Sequence, residues 1–184
     1  MAIELARPLT YDDLPQAPQD GSRQEIIGGV LFESPSPTTA HQFLVSTLHL
    51  LIGNMVAAHG LGHVLTGPVD VRLGVHTVVV PDLLFVCADQ LAIITSALIE
   101  GAPDLVVEVA SPSTRGRDNV QKAAAYAEAG VREYWLPDPV TRTLRMLALR
   151  DGIYRDVESV EGRFRSTVID GLDIDPDELF ASLR

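Results

Sequence analysis

Residues 78–87 read Val-Val-Val-Pro-Asp-Leu-Leu-Phe-Val-Cys, a run in which Asp82 is the only charged side chain. Consecutive apolar positions in a strand leave no face for water, so such a strand has to be covered on both sides. Residues 105–110 repeat the pattern with one acid inside, Glu108. A helix is expected from a cap at Thr38 or Thr39 to about residue 58, with Phe43, Leu44, Leu48, Leu51, Ile52 and Met55 as one buried face. Gly28-Gly29 and Asp151-Gly152 mark tight turns. A second helix is expected over residues 117–129 and a last one from Asp175-Pro176. Helices alternating with strands of both kinds indicate an α/β (α+β) fold, a mixed central β-sheet flanked by helices. The 184 residues suit one domain. Residues 1–22, with Pro8, Pro15 and Pro18, read as an irregular N-terminal arm with one helical turn at residues 11–14. Residues 23–184 read as a single domain.

A carboxylate within a buried strand is costly unless it is paired or holds a metal. Side chains alternate along a strand, so Asp104, Val106, Glu108 and Ala110 share one face and Leu105, Val107 and Val109 the other. Asp82 and Glu108 therefore have two readings. They converge from neighbouring strands on a divalent cation, for which oxygen ligands suit Mg2+ or Mn2+. Alternatively, they are strand-end acids facing water or paired with arginine. Lys122 is the one lysine among 14 basic residues. It is either a point charge serving the site or half of an ordinary i, i+4 surface pair with Asp118. Of the histidines, His41 alone is a site candidate. The single cysteine, Cys87, excludes a disulfide framework and a Cys-based zinc site.

The formal net charge is -11, which repels a nucleic-acid backbone at long range. The acidity is uneven. Residues 1–111 hold 3 basic and 12 acidic side chains, and residues 112–165 hold 10 basic and 8 acidic, which makes the second half the plausible substrate-facing side. Arg115 and Arg117 form a faint basic patch there. No secretory signal or membrane span is visible, so a cytoplasmic protein is expected. The apolar run over residues 91–99 suggests an interface, and hence a homodimer.

Several strings together carry a family resemblance. They are Thr10-Tyr-Asp-Asp-Leu14, Glu25-Ile-Ile-Gly-Gly-Val-Leu, Ser34-Pro-Ser-Pro with His41, Pro81-Asp82, Pro103-Asp-Leu-Val-Val-Glu108-Val-Ala-Ser-Pro-Ser-Thr114, then Asp118, Lys122 and Tyr126, and Gly130-Val-Arg-Glu-Tyr-Trp-Leu-Pro-Asp-Pro139. The chain resembles the Uma-two family of PD-(D/E)xK restriction-endonuclease-like proteins over residues 11–180. The resemblance implies a restriction-endonuclease-like core and Mg2+- or Mn2+-dependent hydrolysis of phosphodiester bonds of nucleic acid, with DNA rather than RNA the expected partner. By position, Asp82 and Glu108, with the Val109 carbonyl, hold the metal. The lysine expected two residues beyond the second acid falls on Ala110. Lys122 then stands in as a lysine migrated to the next helix. Glu25 is a possible additional acid and His41 a further site residue, while Arg115 and Arg117 contact substrate. The alternative is a catalytically silent binding or assembly module on the same fold.

Overall fold

A computed structural model describes residues 7–14, 23–111, 116, 118–181 and 183, the side chains of Asp118 and Asn119 excepted. Arg115 and Arg117 lie outside the described residues. The chain opens with a 3-10 turn at Tyr11–Asp13 and the hairpin β1 (Arg23–Ile27) and β2 (Val30–Ser34). Gly28 and Gly29 both have positive φ, 58° and 79°, as a two-residue hairpin turn of this hand requires. The long helix α1 (Thr39–His59) follows, its N-terminus capped by the Thr38 side chain accepting from the His41 N–H. Strands β3 (Gly62–Thr66), β4 (Val71–Gly74), β5 (Thr77–Val79), β6 (Leu83–Cys87), β7 (Ile99–Glu100) and β8 (Leu105–Val107) come next. A π turn at Asp118–Lys122 leads into α2 (Ala123–Ala129) and then β9 (Glu133–Asp138). The rest comprises the hairpin β10 (Thr143–Arg150) and β11 (Ile153–Asp156), short strands β12 (Phe164–Arg165) and β13 (Asp173–Ile174), and α3 (Pro176–Phe180), which Asp175 caps.

The strands make two main sheets. The larger runs β11-β10-β9-β8-β6-β3, with β8 and β9 parallel and its other neighbours antiparallel. The smaller runs β2-β1-β5-β4-β7. Alternation along the central strands supplies two cores. Leu83 and Phe85, Leu105 and Val107, and Trp135 meet Leu44, Leu48 and Ile52 of α1 and Leu179 of α3. Leu84, Val86, Val106, Tyr134 and Leu136 meet Val71, Val79 and Ile99 of the smaller sheet and Tyr126 of α2. Both faces of β6 and β8 are thus apolar because both are covered.

Three expectations need correction. Residues 78–87 are not one strand. The run breaks at Val80-Pro81-Asp82, and its halves, β5 and β6, belong to different sheets. Proline cannot donate to a ladder, so the chain changes sheet there. Asp82 consequently precedes β6 and Glu108 follows β8, at strand ends rather than within strands. Next, α1 does not bury all its apolar positions: Phe43 and Leu51 are exposed, and the buried face is Leu44, Val45, Leu48, Ile52 and Val56. Finally, Leu98 and Ile99 of the run over 91–99 are buried, and Leu91, Ile93 and Ile94 pack against the second core. That removes the reason for expecting an interface there. Among the described residues, no helix is long and apolar enough to cross a membrane.

A buried acid away from the site anchors the C-terminal segment. Glu133 is fully buried and accepts from Trp135 Nε1 at 3.0 Å and Ser166 Oγ at 2.8 Å, as well as from the Thr167 N–H. Glu133→Ala would leave three donors without their acceptor, those of Trp135 and Ser166 on buried residues, and is expected to cost about 3 kcal/mol. Glu133→Gln, which keeps one accepting oxygen, should cost less. Urea unfolding of the two variants checks the order.

Candidate active site

The change of sheet at Pro81 brings the two acids together. The Asp82 N–H donates to the Val107 carbonyl at 3.2 Å, and the Asp82 carbonyl accepts from the Gly67 N–H at 2.9 Å. Gly67 has no room for a side chain, since a Cβ there would stand 2.6 Å from the Pro81 carbonyl oxygen. Asp82 Oδ2 accepts from the Val109 N–H at 2.8 Å, which ties the first acid to the residue beside the second. The Glu108 N–H donates to the Trp135 carbonyl at 3.0 Å, continuing the parallel ladder one residue past β8.

Lys122 points into this site, not to the surface. Its Nζ is 2.7 Å from Glu108 Oε1 and 2.7 Å from Glu25 Oε1. The Tyr126 hydroxyl, one turn further along the same helix, donates to Glu108 Oε1 at 2.7 Å. Burial, reinforced by the Glu108 charge, pushes the Tyr126 phenol well above its ordinary pKa, so it remains a donor. The Tyr126 ring lies against that of Tyr134 with centroids 5.0 Å apart. A π turn ends at Lys122, a deviation that in helices often accompanies function. Glu25 Oε1 also accepts from the Val80 N–H at 2.8 Å, joining β1 to the segment that carries Asp82.

His41 and Arg23 complete the constellation from the other side of Asp82. His41 Nε2 is 3.0 Å from Asp82 Oδ2, and Arg23 Nη1 is 2.5 Å from Asp82 Oδ1. Burial, with a smaller contribution from Arg23, pulls the His41 imidazole below its ordinary pKa, against the opposing pull of Asp82. The neutral ring facing a carboxylate carries its proton on Nε2. Its Nδ1 is buried and has no hydrogen-bond partner among the described residues.

Glu25, His41, Asp82, Glu108 and Lys122 are each at most 6% exposed, yet all line one cleft of about 330 Å3. Val109 and Ala110 line it too. The sequence offered Glu25, His41, Asp82, Glu108 and Lys122 as site candidates, and the structure brings them to one cleft. It missed Arg23 and gave Tyr126 no role. Strand alternation was the available signal for Arg23, which sits two residues before Glu25 and so shares its face. The suggested substrate-facing half is also less basic than its count. Arg132, Arg145, Arg163 and Arg165 are paired with Asp104, Asp156, Asp175 and Asp173.

The donor set bears on whether the site suits a divalent cation. Three carboxylates, hard oxygen donors of the kind Mg2+ and Mn2+ prefer, face two full cations, Arg23 and Lys122. Among the described residues these carboxylates outnumber the cations by one. Among the described residues no three His, Cys, Asp or Glu side chains are grouped as ready metal ligands. Lys122 bridges Glu25 and Glu108 instead, and Arg23 pairs with Asp82. The chemistry fits a hard divalent ion at Asp82 and Glu108 once the arginine contact on Asp82 opens.

The profile of the Uma2 family, described as "Putative restriction endonuclease", matches residues 9–175. No curated protein matches the chain. A crystal structure of a putative nuclease belonging to DUF820 from Anabaena variabilis superposes with a TM-score of 0.79 at 19% identity, covering 96% of this chain and 100% of that one. At that identity the likeness shows the fold alone.

Proposed function

The chain belongs to the Uma2 family, and from that premise we propose that it is a metal-dependent endonuclease hydrolysing phosphodiester bonds of nucleic acid, with DNA rather than RNA as the proposed substrate. The observation that carries the reading is the placement of the lone lysine, 2.7 Å from both Glu25 and Glu108 inside the cleft that Asp82 also lines. Asp82 and Glu108, with the Val109 carbonyl, are the groups that would hold Mg2+ or Mn2+. Such an ion supplies a lowered pKa for coordinated water and neutralises charge on the phosphoryl oxygens. Lys122, fixed between two carboxylates, keeps an ammonium beside Glu108, where it can orient the attacking water or donate to developing negative charge. Tyr126 holds Glu108 from behind. His41 donates to Asp82 and keeps that carboxylate's orientation. Glu25 steadies Lys122 and the Asp82 segment together. With Ala110 at the position two residues beyond Glu108, the cation has to come from elsewhere, and Lys122 supplies it from the helix.

A second reading, a silent binding or assembly module, is favoured by one observation: Asp82 already has an arginine on it. The two readings diverge in a single assay. Incubation with single- and double-stranded DNA and RNA in Mn2+ should show cleavage by the wild type and none by Glu108→Ala. Cleavage equal in both would refute the site, and Mn2+ binding absent from both would favour the module. The roles of Arg115 and Arg117 as substrate contacts belong to the same proposal, as do the division into an arm over residues 1–22 and a domain over 23–184, and a cytoplasmic location. For the homodimer, the exposed apolar pair Phe43 and Leu50, two turns apart on α1, replaces residues 91–99 as the face to test by light scattering.

A further inference from the structure

Asp82 has two claimants. The endonuclease reading asks it to hold a divalent ion, while the structure gives its Oδ1 to Arg23. Its Oδ2 already receives the Val109 N–H at 2.8 Å and faces His41 at 3.0 Å. The oxygen an incoming cation needs is therefore the one the guanidinium occupies. Arg23 comes from β1 and lines both the 330 Å3 cleft and an adjoining pocket of about 140 Å3, which also share Pro37, His41 and Asp82. Its side chain is 22% exposed, against 3% for Asp82, and the Nη1 contact is the only side-chain hydrogen bond it makes among the described residues. Burial works against its charge, but Asp82, with Glu108 and Glu25 behind it, outweighs that cost and raises the guanidinium pKa.

We propose that Arg23 is an internal counter-ion that occupies Asp82 until a divalent cation displaces it, and that the displaced guanidinium then pairs with the substrate phosphate. The inference rests on the endonuclease reading. Two cations on one carboxylate oxygen repel each other strongly in a buried cleft. An arginine cannot yield by losing its proton, so it yields by moving. Its long, partly exposed side chain has the reach to swing into the cleft, and its fork of N–H donors matches phosphate. A chain of net charge -11 thus presents a mobile positive charge to the backbone it cuts only after the metal has arrived. Metal and nucleic acid then bind with positive coupling.

Arg23→Gln removes the charge while keeping an amide that can donate to Asp82. Mn2+ titration of the whole chain by calorimetry should show a Kd at least about tenfold lower in Arg23→Gln than in wild type, because the resident competitor is gone. The same variant should cleave DNA more slowly, with a raised KM. Removing a fixed arginine would also ease cation repulsion, so tighter binding supports the proposal only together with loss of the wild-type Arg23 Nη–H signal on Mg2+ addition. Wild-type Mn2+ binding with equal or weaker binding in Arg23→Gln overturns the proposal and leaves the endonuclease reading standing. Absence of Mn2+ binding in both overturns the two together. Should Arg23→Gln fail to fold, the wild type decides by 15N NMR of arginine side chains. The Arg23 Nη–H signal, assigned with Arg23→Lys, should lose its protection on Mg2+ addition. Its persistence at saturating Mg2+ overturns the exchange.

Discussion

Glu108→Gln is expected to lower the cleavage rate by about a thousandfold or more and to weaken Mn2+ binding to the point of loss. The substitution keeps the shape of the side chain and removes only its charge. Three groups depend on that charge: the proposed metal, the Lys122 ammonium at 2.7 Å and the Tyr126 hydroxyl at 2.7 Å. The amide oxygen still accepts from one of these donors, and Lys122 retains Glu25, so the fold should survive with a loss of about 1–3 kcal/mol. Far-ultraviolet circular dichroism and thermal unfolding establish that survival. Single-turnover cleavage and Mn2+ calorimetry then measure the chemistry. A rate within about tenfold of wild type would mean that Glu108 is neither a metal ligand nor the anchor of the lysine.

Lys122→Met is expected to combine loss of activity with a large, pH-dependent loss of stability. Lys122 is 2% exposed and bridges two carboxylates that are themselves buried. Removing one partner of a buried ion pair costs about 3–5 kcal/mol because the other partner is stranded. Here two like charges are stranded side by side, so the cost should reach the upper end of that range. The sign with pH follows from which species is stranded. Protonation relieves a buried carboxylate, so the stability gap between variant and wild type should narrow as pH falls and widen as it rises. Urea unfolding across a pH series reads the trend directly. An exposed i, i+4 pair would instead be worth a few tenths of a kcal/mol, with little dependence on pH. Lys122→Arg should fold better than Lys122→Met yet cleave poorly. A planar guanidinium cannot place one compact charge within 2.7 Å of both Glu25 and Glu108. Wild-type cleavage by Lys122→Arg would sink the catalytic assignment.

What could be read in the residue order is what depends on near neighbours along the chain. The hairpin turns at Gly28-Gly29 and Asp151-Gly152, the Thr38 and Asp175 caps, and the alternation that points Leu105 and Val107 one way and Val106 the other are local chemistry. The cost of acids in apolar surroundings marked Asp82 and Glu108, and scarcity marked Lys122. Other features need partners distant in sequence. Arg23 meets Asp82 across 59 residues, and Lys122 meets Glu25 with α1 and strands β2 to β8 between them in the chain. Alternation sets Arg23 on the Glu25 face, but no local pattern names the carboxylate it pairs with.

The apolar run at residues 78–87 shows the division most clearly. The sequence by itself determined that this stretch is buried on both faces, since water could satisfy neither, and that Asp82 is costly there unless it is paired, holds a metal or reaches water at a strand end. Only the tertiary structure decided that the run splits at Pro81 between two sheets, that Asp82 stands at the resulting junction with Glu108 beside it, and that the first cation on Asp82 is Arg23. The reason is physical. Burial and backbone preference are properties of a segment, whereas the choice of counter-ion depends on which segments the two cores press together.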